Sequence, residues 1–349
     1  MIHNGTYLQS QSPLPLLRSK MPCVVLTHNE LLILPEFLRH YREIGVDHFL
    51  IVDDRSTDGS IQFLHEQPDV TIFTPIEGST FRKDKRFWRA ELLDNYCSGN
   101  WVVVPDVDEH LVYRDVDAGR DLFELVRSLE EEGAEAMHAV MLDMYRNEPL
   151  QDHRFKGGRL IDQFPLFDGP DHCFRIAAPL RFRRKYPTPF AFAIGGMRQR
   201  VFEPLALQTL SFRVVRRFCD ISGHFSPDRF ERFMLKFARF FLRHFLNSAE
   251  LYNASKLPLI KWREGMFFYS GAHAISRKLT LSKQNAAMLH FKFASGVDGL
   301  RYNADRGQHT DGSRSYKRII NQSLALKSSP LFEGSWCYKD SSSLGRFLK

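Results

Sequence analysis

The first third of the chain alternates between short apolar runs and amphipathic segments, and this alternation constrains the fold more than any other feature of the sequence. Four apolar runs have the length of buried strands: Cys23–Leu26, Phe49–Val52, Val70–Phe73 and Trp101–Val104. The segments between them predict helices over Leu31–Ile44, Ser60–Glu66 and Asp84–Tyr96. Because alternating strands and helices form parallel βαβ units, the sequence predicts an α/β protein with a mostly parallel central sheet flanked by helices.

Polar residues follow three of these predicted strands directly. They are Thr27–Glu30, Asp53–Asp54 and Asp106–Glu109. In open α/β sheets ligands bind beyond the carboxyl ends of the strands, where these side chains would meet. The sequence therefore predicts one binding or catalytic site at that edge of the sheet.

The Asp106-x-Asp108 pair predicts a divalent-metal site. Two carboxylates two residues apart at a strand end can reach one cation, and such hard oxygen ligands suit Mg²⁺ or Mn²⁺. A polar loop after a strand is the alternative, but the two other polar strand ends favour the metal. The stretch Asp53–Asp58 likewise fits either a capped turn into a helix or a carboxylate that accepts a hydrogen bond from a base or a ribose hydroxyl.

Taken in order, these stretches resemble the signature of glycosyltransferase family 2. The matching stretches are Val24–Glu30, Ile51–Asp58 and Asp106–Glu109, within about residues 22 to 113. The finer features are similar to a bacterial branch akin to family 92: the Asn29-Glu30 pair, the Gly45–Phe49 link and Glu109 after the D-x-D. Two later stretches also resemble parts of bacterial members, namely Gly195–Phe202 and Leu289–Phe293.

The resemblance implies a GT-A fold that transfers a sugar from a nucleotide donor, a UDP- or GDP-sugar, to a saccharide or lipid-linked acceptor. It further implies Mn²⁺ or Mg²⁺ as the cofactor, inversion of configuration and a role in making cell-surface polysaccharide. Residue by residue, it places Thr27 and Asn29 in the nucleotide pocket, Asp54 against the base, Arg89 facing the donor, Asp106 at the ribose and the metal, and Asp108 on the metal.

An inverting enzyme also needs a carboxylate that deprotonates the acceptor hydroxyl. The Glu-Asp pair that has this role in family 2 has no counterpart in the sequence. Asp168 and Asp171 are the remaining candidates for the base, although the Asp-Gly-Pro step between them also fits a plain turn.

A further metal ligand is expected from the C-terminal half, because a cation held by two carboxylates on one loop is weakly fixed. In Leu289–Phe293 the alternation of a strand puts His290 and Lys292 on one face, with His290 toward the metal and Lys292 toward the diphosphate. Imidazole is an acceptable ligand for Mn²⁺. His273 is the competing candidate, and both histidines also fit ordinary core positions.

The chain is predicted to consist of an N-terminal extension (1–20), a GT-A-like domain (21–297) and a polar C-terminal extension of helix and loop (298–349). Within the middle domain, 21–113 would bind the nucleotide and 114–297 the acceptor. Met1–Lys20 lacks the apolar stretch of a secretory signal, and the five cysteines form no C-x-x-C pair. We therefore expect a cytoplasmic protein, since scattered free cysteines are typical of a reducing compartment.

The net charge of +7 attracts polyanions in general, but no recognised nucleic-acid motif accompanies it, so no nucleic-acid partner is expected. Arg229–Phe245 predicts a helix whose Phe stripe packs in the core by default. Its flanking basic stripe is nevertheless typical of a helix on a membrane surface, which would give peripheral contact with the inner face of the membrane. The clusters Arg181–Lys185 and Arg213–Arg217 fit solvated faces, or contact with a phosphorylated acceptor or an anionic membrane surface.

Two other functions stay open at this point. A nucleotidyltransferase also binds nucleotide phosphates with carboxylates and metal on a parallel sheet. It would need a Gly-rich basic loop after the first strand, which Thr27–Leu32 does not provide. A basic module without catalysis would bind nucleotide or membrane and leave a nucleotide sugar unchanged.

Overall fold

Nine strands form one central sheet among the residues that the computed structural model describes, which are 5–11, 21–204, 209–244, 251–307 and 313–348. The strands in chain order are β1 Leu8–Ser10, β2 Pro22–Thr27, β3 His48–Asp53, β4 Val70–Pro75, β5 Trp101–Val103, β6 Glu109–Val112, β7 Ala136–Asp143, β8 Leu166–Asp168, β9 Cys173–Ala177, β10 Ala191–Gly195, β11 Ser255–Lys261, β12 Phe268–Tyr269, β13 Ala274–Ile275, β14 Leu281–His290 and β15 Ser335–Cys337. The α-helices are α1 Leu34–Glu43, α2 Ser60–His65, α3 Phe81–Tyr96, α4 Leu122–Glu131, α5 Leu160–Gln163, α6 Leu180–Lys185, α7 Gly196–Phe202, α8 Leu210–Val215, α9 Arg229–Phe241, α10 Gly296–Arg306 and α11 Arg314–Ala325.

The strand order of the central sheet is β1-β4-β3-β2-β5-β11-β7-β14-β6. The strands β2, β3, β4 and β5 run parallel to one another, and β14 runs parallel to β7. Strand β11 lies antiparallel between β5 and β7, while β1 and β6 are antiparallel at the two edges. Six strands thus point in one direction, which confirms the prediction of a mostly parallel sheet flanked by helices.

The parallel strands are continuous apolar runs because helices cover both faces of the sheet. In β3 every residue after His48 is buried, and α1 packs Phe37 and Tyr41 into the same core. Helix α1 stops before Gly45, which has a φ of 105° that residues with a side chain rarely adopt. The four strands and three helices predicted in the first third of the chain are therefore confirmed.

His153, fully buried before α5, makes the stability of the fold depend on pH. Its Nε2 bonds the carbonyl oxygen of Glu148 at 3.1 Å, and burial lowers the pKa of the imidazole to about 4. The unfolded chain takes up this proton near pH 6.5, so the unfolded state is favoured as the pH falls from 6.5 toward 4. We expect His153→Gln to reduce the loss of stability between pH 7 and pH 5 by about 1–2 kcal/mol. Denaturant unfolding at both pH values measures this, and an equal loss in the two proteins would contradict it.

The helix predicted over Arg229–Phe245 is α9, and Phe245 lies outside the described residues. The prediction that its Phe stripe packs in the core is wrong. Leu235 and Ala238 face the protein, whereas the phenylalanines of the stripe are exposed. Of the helices that the structure describes, none combines the length and the apolar composition needed to cross a membrane.

Candidate functional site

The carboxyl ends of the parallel strands meet the amino ends of β6 and β11 at one edge of the sheet. This follows from strand direction, since an antiparallel strand begins where its parallel neighbour ends. Strand β2 ends at Thr27, β5 leads into Asp106 and Asp108, and β14 ends at His290. Strand β11 brings Lys256 to the same edge from the opposite direction.

Lys256 is a buried lysine that holds two carboxylates of this edge together. Its Nζ lies 2.6 Å from Oδ2 of Asp106 and 2.8 Å from Oε1 of Glu109. Burial opposes the charge of Lys256, but the two carboxylates raise its pKa above the usual value. Asp106 also accepts a hydrogen bond from Nη2 of Arg89 at 3.2 Å, and against the effect of burial these two cations hold its pKa well below the usual range. Gly271 packs on the pair so closely that a Cβ there would lie 3.0 Å from Oδ2 of Asp106.

A second line of contacts joins Asp108, His290, Asp143 and Arg198. Nε2 of His290 lies 3.3 Å from Oδ2 of Asp108, and its Nδ1 lies 2.7 Å from Oδ1 of Asp143. Against burial, Arg198 and His290 hold the pKa of Asp143 well below its usual range, with Nε of Arg198 2.7 Å from Oδ2. Asp143 is therefore an anion that accepts the Nδ1–H of His290, which leaves Nε2 directed at Asp108.

Three groups at this edge have the spacing of metal ligands. Asp108, Glu109 and His290 each offer one ligand atom, and these atoms lie within 4.8 Å of one another. Two carboxylate oxygens and one imidazole fit Mn²⁺, and Asp143 behind His290 matches the carboxylates that orient metal-binding histidines. Asp106, the other predicted ligand, lies beside them, and both of its oxygens accept hydrogen bonds from basic side chains. Glu109 is engaged in a similar way, since Oε1 pairs with Lys256 and Oε2 accepts the backbone N–H of Asp106 at 2.9 Å. The metal roles of Asp106, Asp108 and His290 stay predictions.

The predicted base-binding carboxylate, Asp54, is buried just after β3 and is bound by two arginines. Nη1 of Arg55 lies 2.8 Å from Oδ1, and Arg306, the last residue of α10, contacts Oδ2. The guanidinium of Arg306 also lies over the ring of Phe81, 5.6 Å from its centroid. Arg306, from the segment predicted as a C-terminal extension, thus reaches a carboxylate that the resemblance assigns to the base.

Tyr302 of α10 covers the loop after β2 in the same way. Its hydroxyl lies 2.6 Å from Nδ2 of Asn29 and 2.7 Å from Nε2 of His28, on which the tyrosine ring stacks. Asn29 adopts a left-handed φ of 53°, a conformation that asparagine tolerates better than most residues. Nearby, Oγ1 of Thr27 is buried without a hydrogen-bond partner among the described residues. This hydroxyl can still donate and accept a hydrogen bond, so it fits a polar ligand at the end of β2.

Many of these groups line a cavity of about 410 Å³, but Asn29, Asp54, Asp143 and Tyr302 are not among its lining residues. Its basic lining residues are Lys85, Arg89, Arg198, Lys256, Lys292 and Arg306. Its carboxylates are Glu30, Asp106, Asp108 and Glu109. Burial, together with the carboxylates of Asp108 and Asp58, raises the pKa of Glu30 to about 8, so this carboxyl is mainly neutral at pH 7. The cavity is positive overall and suits a polyanion such as a nucleoside diphosphate.

No model of a known protein family and no well-characterised protein matches the sequence. Among solved structures, TarS of S. aureus is 17% identical with a TM-score of 0.27, and the match covers 40% of this chain and 24% of TarS. The mannosyltransferase PcManGT of Pyrobaculum calidifontis, solved with GDP-Man and Mn²⁺, is 22% identical with a TM-score of 0.25, over 39% of this chain and 38% of that one. A Bacillus anthracis protein named as a glucose-1-phosphate thymidylyltransferase, solved with sucrose, is 10% identical with a TM-score of 0.25, over 40% and 60%. The chain therefore spans less than two thirds of each of these structures.

Neither candidate for the catalytic base lines the cavity. Asp168 is 3% exposed and accepts hydrogen bonds from the hydroxyl of Tyr145 at 2.9 Å and from Nε of Arg200 at 2.8 Å. Asp171 is exposed, pairs with Arg346 and borders a separate cavity of about 250 Å³. The structure thus does not bring either carboxylate together with the D-x-D stretch.

His273 and Lys292, by contrast, both line the cavity. Nδ1 of His273 bonds the carbonyl oxygen of Ser255 at 2.7 Å, and burial with the nearby Lys256 lowers the pKa of the ring to about 3. His273 is therefore neutral, and it does not belong to the three described groups with metal-ligand spacing. Nζ of Lys292 lies 2.7 Å from the hydroxyl of Tyr316 on α11.

Proposed function

We propose that the protein transfers a sugar from a nucleotide-sugar donor to a saccharide or lipid-linked acceptor, with Mn²⁺ or Mg²⁺ as its cofactor. The proposal rests on one observation above all. Asp108 and His290 approach within 3.3 Å of each other in a cavity lined by six basic side chains. Such a site can bind a cation and a diphosphate together. The resemblance of the strand ends to glycosyltransferase family 2 supports sugar transfer as the reaction and the synthesis of cell-surface polysaccharide as its role.

Asp108 and His290 would hold the cation, with Glu109 beside them. When bound, the cation neutralises the charge that develops on the leaving diphosphate. Against burial, Asp108 and Asp143 raise the pKa of His290, so the imidazole is protonated between the two carboxylates. When a cation binds, Nε2 would release its proton and offer its lone pair to the metal, with Asp143 accepting the Nδ1–H. Lys256 fixes Asp106 at the rim of the site, where its carboxylate can accept hydrogen bonds from the ribose.

The nucleotide would extend from this point toward the end of β3. Asp54, which contacts the lining residue Arg306, is the carboxylate that would accept a hydrogen bond from a base N–H. Thr27 lines the cavity, whereas Asp54 and Asn29 do not. Asp168 and Asp171 lie outside the cavity, so we assign the deprotonation of the acceptor hydroxyl to neither of them.

A donor screen tests this function. UDP-, GDP- and dTDP-sugars are incubated with the protein and Mn²⁺, and the released nucleotides are measured with and without EDTA. A sugar transferase is expected to release nucleoside diphosphate from one donor, only with the metal. With added pyrophosphate, release of nucleoside triphosphate and sugar 1-phosphate would instead identify a nucleotidyltransferase. Thermal stabilisation by a donor that stays intact would identify a binding module without catalysis.

His290→Ala and His273→Ala are expected to separate the two histidines of the cavity. His290→Ala should weaken Mn²⁺ and nucleotide binding together, each by about 10- to 100-fold, because both depend on the same bound cation. His273→Ala should have the smaller effect on both. Isothermal titration with Mn²⁺, and then with nucleotide in the presence of Mn²⁺, measures the two affinities. Equal effects of the two variants would exclude the assignment of His290 as the ligand.

A further inference from the structure

Five phenylalanines of α9 point away from the protein. Their side chains are 71%, 64%, 45%, 63% and 44% exposed for Phe230, Phe233, Phe237, Phe240 and Phe241. With 3.6 residues per turn, these positions fall within an arc of about 100° on the helix. We call this arc the Phe face.

The opposite side of α9 anchors the helix to the protein. Leu235, Ala238 and the following Leu242 are buried there. Glu231, on the same side, forms an ion pair with Arg175 at 2.8 Å and completes the capping box at the start of the helix. The carboxylate of Glu231 is therefore paired within the protein and does not reduce the positive charge of the outer surface.

A basic stripe runs along one flank of the Phe face. Its positions are Arg229, Arg232, Lys236, Arg239 and Arg243. Arg232 and Arg239 donate to the carbonyl oxygens of Pro227 and Ala177, so Arg229, Lys236 and Arg243 supply most of the outward charge. The guanidinium of Arg243 lies 4.5 Å from the ring centroid of Phe240, so positive charge borders the aromatic surface directly. Residues 209–244 contain eight Lys or Arg residues and only three Asp or Glu residues.

The neighbouring helix α8 also exposes apolar side chains. Leu210 is 69% and Val214 is 61% exposed, while Phe212 and Val215 of α8 share a small core with Ala238 of α9. Both helices thus rest on the same core and leave apolar side chains outside it. Exposed apolar groups of this number, rimmed by charge, mark an interaction surface.

We propose that α9 binds the surface of an anionic lipid bilayer. Aromatic rings favour the boundary between headgroups and acyl chains, and Lys and Arg favour anionic headgroups. The order of buried, basic and aromatic stripes around α9 meets both requirements at once. A second copy of the chain fits less well, because pairing two Phe faces brings two basic stripes together. None of these residues lines the cavity, so membrane binding is separable from sugar transfer.

Vesicle co-sedimentation of the full chain tests the proposal. Neutral phosphatidylcholine vesicles are compared with vesicles that also contain phosphatidylserine, at low and at high salt. The protein is expected to sediment with the anionic vesicles and to be released by salt. The double variant Phe233→Ser/Phe240→Ser should lose at least tenfold in binding. Lys236→Glu/Arg243→Glu should lose binding to the same vesicles while it keeps the Phe face.

Leu331→Ser is the matched control, because Leu331 is 44% exposed and lies outside α8 and α9. The control should bind as the wild type does, and unchanged thermal melting of all variants shows that they are folded. Equal binding to neutral and anionic vesicles, binding to neither, or full binding by a folded Phe variant would each overturn the proposal. A concentration-dependent dimer that the Phe variant abolishes, without vesicle binding, would show that the Phe face joins two copies instead.

Discussion

Asp108→Asn is expected to leave the protein folded and to reduce metal-dependent turnover of the donor by about a hundredfold or more. The amide retains the size of the carboxylate and can still hydrogen-bond His290, whose Nε2 lies 3.3 Å from Asp108. It lacks the negative charge that makes the carboxylate a ligand for a hard cation. Release of nucleoside diphosphate in saturating Mn²⁺ measures the effect.

Asp162→Asn provides the control for this substitution. Asp162 is exposed on α5 and does not line the cavity, so its variant should turn over the donor as the wild type does. Far- and near-ultraviolet circular dichroism compares the folds of the three proteins. Turnover by a folded Asp108→Asn protein at the wild-type rate would remove Asp108 from the metal site.

Lys256→Met is expected to destabilise the fold by about 3–5 kcal/mol, since it leaves the buried carboxylate of Glu109 without its cation. Methionine fills a similar volume, so the main loss is electrostatic. The side chains of Lys256 and Glu109 are each only 1% exposed, which prevents water from replacing the lost ammonium group. The second substitution Glu109→Gln should restore part of this stability, because it removes the stranded charge.

Lys261→Met is the matched control on the same strand. Lys261 pairs with Glu130 at 2.9 Å, but the two side chains are 39% and 49% exposed, so its loss should cost less than about 1 kcal/mol. The pH dependence adds an independent check. Burial already raises the pKa of Glu109, and without Lys256 the folded state should hold this proton still more tightly. Lys256→Met should therefore be less destabilised at pH 5 than at pH 8. Equal losses from the two lysine substitutions would contradict the buried pair.

Strands β2 to β5 and the polar residues after them could be predicted because each is a local pattern. A short apolar run predicts the strand, and Asp106 or Thr27 directly after it predicts a functional residue at the strand end. Both predictions need only a few consecutive residues. The end of β7 carries a similar signal. Asp143 ends the apolar run of β7, so its position at the same edge follows from the same local pattern.

Lys256, Arg198 and Arg306 could not be predicted as parts of the site. Lys256 begins an antiparallel strand, and its place in the sheet depends on a pairing with residues about 150 positions earlier in the chain. Arg306 lies in a polar segment whose composition fits any surface helix. The prediction that the Phe stripe of α9 packs in the core failed for a related reason. Helical periodicity shows which residues share a face, but it does not show whether that face is covered.

The position of α10 has a kinetic consequence for any ligand that uses the carboxylate of Asp54. Arg306 contacts this carboxylate and Tyr302 contacts the amide of Asn29, so a ligand that takes the place of both side chains must displace them. If the two side chains leave before the ligand binds, the observed association rate should level off with increasing ligand at the rate of their displacement. The apparent dissociation constant would then equal the intrinsic one divided by the displaced fraction, so a displaced fraction of about 10% would weaken binding about tenfold. Two residues about 250 positions along the chain would thereby control how fast the end of β3 is reached.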